Sequence, residues 1–122
     1  MQYSVMCYGS EHAGHALSQA EDDKMMAELK AIQSNFPGKI KLRAGVRLMP
    51  TTAATTVHYG RNTMVIDGPF AETKEQLLGF YVIDCDSLED AIEATHLLIG
   101  PRIDAGLIGS LEIRPIMMAD LE

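Results

Sequence analysis

The segment from Leu77 to Cys85 reads Leu-Leu-Gly-Phe-Tyr-Val-Ile-Asp-Cys, a strand-length run that is apolar on both sides. Strict alternation puts Leu78, Phe80 and Val82 on one side and Leu77, Tyr81 and Ile83 on the other. Such a strand has to be covered twice, because a sheet with one wet face shows polar residues at every second position. Tyr3 to Tyr8 has the same character, with Tyr3, Val5 and Cys7 opposite Ser4, Met6 and Tyr8. Any fold for this chain must therefore bury both faces of these two strands.

The rest of the chain supplies what covers one of those faces. Gly9 to Leu17 reads as a loop carrying His12, Gly14 and His15. Ser18-Gln19-Ala20-Glu21 has capping-box spacing, and Met25, Leu29, Ile32 and Phe36 behind it form one helical stripe that Asn35, Pro37 and Gly38 end. Lys39 to Leu48 reads as a second strand closed by Pro50. Ala54 to Tyr59 and Asn62 to Asp67 flank Gly60-Arg61 as a two-residue hairpin. Ser87 opens a second helix whose buried face is Leu88, Ala91, Ile92, Thr95 and Ile99, and Gly100-Pro101 stops it. A glycine-punctuated loop from Gly100 to Gly109, a candidate lid, leads to a last strand, Ser110 to Ile116.

This order predicts an α+β fold over residues 1–122, a single domain of ferredoxin-like βαββαβ pattern with an inserted β-hairpin. Two helices cover only one face of the sheet. The simplest cover for the other is a second copy, which predicts a homodimer through the sheet face, a dimeric α+β barrel.

Composition excludes several function classes. A net charge of -7 and the lack of a lysine/arginine stripe argue against nucleic acid; Arg43, Arg47 and Arg61, with Lys39 and Lys41, read as a half-exposed strand. No apolar run is long enough to cross a membrane, and Met1-Gln2-Tyr3 does not open a signal peptide, so a cytoplasmic location is expected. Cys7 and Cys85 read as buried thiols on the order of 20 Å apart, at opposite ends of neighbouring strands. His12 and His15 have Gly14 between them and no third ligand nearby, so no metal site is expected. No phosphate-cradling glycine motif is present, and the sequence calls for no cofactor.

The candidate chemistry centres on Asp67-Gly68-Pro69-Phe70-Ala71-Glu72-Thr73-Lys74-Glu75. Asp67 reads either as a general base or ligand-orienting carboxylate, or as an Asx-type turn residue holding the amide of Phe70 or Ala71. Glu72 and Lys74 read either as ligand contacts or as a solvated run of weak ion pairs. His15 or His12 offers a proton shuttle, since histidine titrates near neutrality. Arg47 is a candidate carboxylate clamp, and Met6 and Tyr81, with the Phe80 region, are candidate pocket walls.

Asp-Gly-Pro-Phe-Ala-Glu followed by Lys-Glu-Gln-Leu and Gly-Phe-Tyr resembles the signature of the DGPF type within the YCII-related family of small bacterial proteins. The similarity also covers Ala44-Gly45, Leu48-Met49-Pro50, Thr55-Thr56-Val57 and Gly109-Ser110-Leu111-Glu112-Ile113-Arg114-Pro115. It implies a dimeric α+β barrel. Better-characterised relatives use a histidine with an aspartate, in a local motif that this chain lacks. Many DGPF relatives are encoded beside sigma factors, which implies a regulatory setting. The expected function is a small-molecule-binding homodimer. The alternatives are a cofactor-independent isomerase or lyase acting on a small organic acid, with His15 or His12 working with Asp67, and a structural or protein-interaction subunit.

Overall fold

The computed structural model describes residues 1–121. In chain order the elements are β1 (Gln2–Gly9), α1 (Glu11–His15), α2 (Gln19–Gln33), β2 (Lys41–Arg47), β3 (Thr55–His58), β4 (Met64–Asp67), β5 (Gln76–Asp84), α3 (Leu88–Asp104) and β6 (Gly109–Pro115), with a 3-10 turn at Thr51–Ala53. The four long strands form an antiparallel sheet in the order β2-β5-β1-β6, while β3 and β4 pair separately as the inserted hairpin. This is the ferredoxin-like α+β arrangement with both apolar strands at the centre.

The helices sit where the capping chemistry puts them. Ser18 and Glu21 make the reciprocal box at the start of α2, the serine oxygen accepting from the Glu21 amide and the glutamate from the Ser18 amide. Ser87 accepts from the Asp90 amide at the start of α3. Both helices pack on the sheet face carrying Tyr3, Val5, Cys7, Tyr81 and Ile83, and Val5, Leu29, Ile83 and Leu98 are buried to within 2 %.

Five features differ from the sequence reading, the first being the buried face of α3, which is Ala91, Ala94, Thr95, Leu98 and Pro101 with Leu88 and Ile92 exposed. The segment after β1 is not all loop. Ser10 accepts from the Ala13 amide and opens the short helix α1, which carries His12 and His15.

The hairpin does not turn at two residues. Its last pair is His58 with Met64, so the connection runs from Tyr59 to Thr63. A two-residue turn of the I′ type needs positive φ at both central positions. Gly60 supplies φ 138°, but Arg61 does not take a positive φ.

The two sides of β5 also differ. Cys7 pairs with Gly79 and Tyr8 with Leu77, so Leu78 is the extra residue of a β-bulge. The bulge interrupts the alternation: Leu77 joins Phe80 and Val82 opposite the helices, and Leu78 turns toward them. Beside it β2 comes so close that a Cβ on Gly79 would overlap the carbonyl oxygen of Val46.

Finally, α3 runs through Pro101 to Asp104. The missing proline N–H deprives only the carbonyl of Leu97, so the helix loses one hydrogen bond and continues. The stop comes later, at Gly106. With φ 80° it donates to the Ile103 carbonyl while Leu107 donates to Arg102, a Schellman ending. Half of the candidate Gly100–Gly109 lid, up to Asp104, is thus helix.

Among the described residues, no helix lies on the other sheet face. Ser4, Met6 and Tyr8 of β1, Leu77, Phe80 and Val82 of β5, and Ala44 and Val46 of β2 lie side by side there.

Candidate functional site

A cavity of about 470 Å³ opens between α1, α2 and the helix-bearing side of β2 and β5. Its walls follow from the pattern just described. The α2 stripe supplies Met25, Met26 and Leu29, and the bulge delivers Leu78. The cavity also reaches Cys7, Gln33, Tyr81 and Arg102, where its polar groups concentrate.

That polar group is tightly organised. Arg102, on the final turn of α3, donates from Nη2 to Tyr81 Oη at 3.0 Å and from Nη1 to the Leu98 carbonyl at 2.6 Å. Its Nη2 also lies 3.8 Å from Cys7 Sγ, and its guanidinium stands 5.7 Å from the Tyr81 ring centroid, within cation–π range. Gln33 Nε2 donates to the same phenol oxygen at 3.4 Å. Burial pushes the Cys7 thiol up from its ordinary value, with Arg102 acting in the opposite direction. Cys7 is therefore a protonated wall residue and not a thiolate nucleophile.

Two polar straps hold the rim. Arg47 grips Asp22 with both terminal nitrogens, at 2.8 and 3.1 Å, tying the edge strand β2 to α2. Hydrogen bonding from Arg47 holds the Asp22 carboxyl below the usual aspartate value, and Asp22 in turn raises Arg47. Glu11 of α1 accepts from the Thr51 amide at 2.7 Å and from its hydroxyl at 2.8 Å, while the Glu11 amide donates to Gln76. The short helix bearing His15 is thus fastened both to the insertion and to the start of β5.

Of the residues singled out from sequence, His15, Arg47 and Tyr81 line this one cavity. Met6 does not join them; it pairs with Phe80 on the sheet's other face. Glu72 lines a wider groove of about 880 Å³, formed by the Gly68–Glu75 segment together with Tyr8, Met49 and Leu77. Asp67, Lys74 and His12 are exposed and line neither space.

The turn after Asp67 is held differently from the Asx reading. Gly68 adopts φ 97° and donates to the Ala54 carbonyl at 2.7 Å, and Thr56 Oγ1 donates to the Gly68 carbonyl at 2.8 Å. Among the described residues, neither Phe70 nor Ala71 donates to the Asp67 carboxylate.

Arg102 and Gln33 went unremarked in the sequence. Arg102 follows Leu98 by one helical turn and continues the stripe of Ala91, Ala94 and Leu98, a signal that reading Pro101 as a stop conceals. Among the described residues, no three His, Cys, Asp or Glu side chains converge as metal ligands, and no helix is long and apolar enough to cross a membrane.

Comparison with known proteins places the chain among relatives of the same design. The YCII-related domain matches residues 1–117. An uncharacterised protein of Rhizobium meliloti (strain 1021) is 45% identical over 119 residues, spanning 97% of this chain and 94% of that protein. The motif around Asp67, the ferredoxin-like sheet and both matches agree: the chain belongs to the YCII-related domain family.

Proposed function

We propose that this protein is a small-molecule-binding homodimer whose ligand occupies the cavity between α2 and the sheet. The observation that carries the reading is the composition of that cavity. Methionine and leucine walls surround one polar group made of Arg102, Tyr81 and Gln33. Its volume, about 470 Å³, falls in the range of small-molecule sites. Methionine walls adapt to the shape of what enters.

Binding is favoured over proton-transfer catalysis by the condition of the carboxylates. Glu11 and Asp22 line the cavity with His15, but Thr51 and Arg47 already engage them. Among the described residues, His15 meets no carboxylate that would orient or charge it. A site that holds a ligand without transforming it suits a regulatory role.

The homodimer rests on the face of the sheet opposite the helices. Met6, Tyr8, Val46, Leu77 and Phe80 lie there together, with Leu77 37 % and Val46 38 % exposed. A second copy of the same sheet is the self-complementary cover that such a face takes in a twofold dimer.

The test is a thermal-shift screen of neutral and charged small molecules against wild type and Met26→Trp, whose indole fills the cavity. Compounds that raise the wild-type melting temperature should lose their effect on the variant. Binding that survives the filled cavity, or a set in which nothing stabilises the wild type, overturns the reading.

A further inference from the structure

Resting on the cavity reading above, we infer that the ligand is a small organic acid, its carboxylate received by Arg102 and Tyr81 and its apolar body lying against α2.

The inference begins with unbalanced charge. Arg102 is half-buried, yet among the described residues it meets no carboxylate. Its partners are a backbone carbonyl, a phenol and a thiol, none of which carries a full negative charge. Its guanidinium has five N–H donors in a fixed fork, more than these partners occupy. The carbonyls of the last α3 turn moderate the charge without neutralising it.

Tyr81 adds the second donor. Its oxygen already accepts from Arg102 and from Gln33, so its own proton is left to donate. Among the described residues no acceptor receives that proton. A guanidinium with spare N–H groups beside a phenol with a spare O–H is a donor-only arrangement. The complementary ligand group has acceptors only and carries negative charge, and a carboxylate satisfies both requirements.

The other carboxylates around the cavity already have partners, although Glu11 keeps its charge. Asp22 is neutralised by the two-nitrogen grip of Arg47, which also removes Arg47 from competition as the clamp. Both Glu11 oxygens accept from Thr51. The body of the ligand is set by Met25, Met26, Leu29 and Leu78, which offer no polar partner and therefore select an alkyl or aromatic group.

The experiment compares acids with their uncharged isosteres. Benzoate, benzamide, hexanoate and hexanamide are titrated by calorimetry at constant ionic strength into wild type, Arg102→Met and Tyr81→Phe, each variant first checked for native circular dichroism. Each acid should bind wild type about tenfold or more tightly than its amide, and the ratio should collapse toward unity in Arg102→Met. Tyr81→Phe keeps the ring and the cation, so it tests the phenol should Arg102→Met fail to fold; it should narrow the ratio. Amides that bind wild type as well as acids overturn the carboxylate assignment while leaving the cavity reading standing. If both variants keep the full acid preference, the assignment is likewise overturned. Binding of neither class to wild type overturns it too, and only if the broader screen is equally empty does the cavity reading fall with it.

Discussion

Tyr81 Oη accepts a 3.0 Å hydrogen bond from Arg102 Nη2, joining the middle of β5 to the last turn of α3. The strand side of this contact is built by alternation, since Tyr81 shares the helix-bearing face with Ile83 and is 6 % exposed. The helix side exists only because α3 continues past Pro101. Removing the hydroxyl by Tyr81→Phe leaves a half-buried guanidinium donor without its partner. The substitution is expected to destabilise the fold by about 1–2 kcal/mol, read as a lower urea midpoint with an unchanged slope.

How much of this was legible in the sequence depends on the length over which a signal adds up. The capping box at Ser18, the stripe Met25-Leu29 and the double-sided strands are repeated, mutually supporting patterns, and they specified the sheet and its helices. Apart from the rotated face of α3, the failures were single-residue events. One proline was weighed as a helix terminator although it costs the helix one hydrogen bond without ending it. One extra residue, Leu78, reversed the assignment of two leucines. Gly60 alone did not license a tight hairpin. The candidate site inherited these errors: Arg47 and Tyr81 line the cavity from strands read as strands, His15 lines it from a helix read as a loop, and Arg102 was hidden beyond the misread stop.

The Arg47–Asp22 strap predicts a pH dependence with a definite sign. The folded-state carboxyl of Asp22 lies below its ordinary value, chiefly through the hydrogen bond from Arg47. Its stabilising contribution is therefore present above the unfolded-state value and is lost as pH falls through the folded-state one. The stability gap between wild type and Asp22→Asn should be present at pH 7 and close progressively in acid below pH ~4, measured by urea melts across that range. A gap that does not change with pH would show that the strap is not ionic.

Gly79→Ala should be severe. The added Cβ would overlap the Val46 carbonyl oxygen and lie 3.3 Å from the Arg47 Cα, so the backbone of an adjacent strand has to move. A loss of about 3 kcal/mol or more is expected, or no soluble folded protein at all. Gly14→Ala, where an added Cβ meets nothing within 4 Å, is the matched control and should be nearly silent.

Thr51→Val keeps the side-chain shape but removes the hydroxyl that Glu11 Oε2 accepts at 2.8 Å. A cost of about 1 kcal/mol is expected. Hydrogen exchange should rise most in α1 and the Thr51–Ala53 turn. Uniform loosening of the whole sheet would contradict a local fastening.

Sedimentation tests the association of two copies. Wild type should sediment as twice the 13.4 kDa chain at micromolar concentration. Phe80→Asp and Met6→Asp, a facing pair on the uncovered sheet face, should each shift it toward one chain. A wild type that stays at a single chain mass under these conditions removes the dimer.

The bulge at Leu78 makes cavity depth a matter of arithmetic along the chain. Deleting that residue would let β5 run in unbroken phase against β1, with Leu77 still opposite Tyr8 and Gln76 still opposite Gly9. Gln76 would keep its face and its grip on the Glu11 amide, and the chamber would lose only the wall that Leu78 supplies. A length change of a single residue at this point would thus reshape the chamber while α1 stays fastened, with every other side chain left as it was.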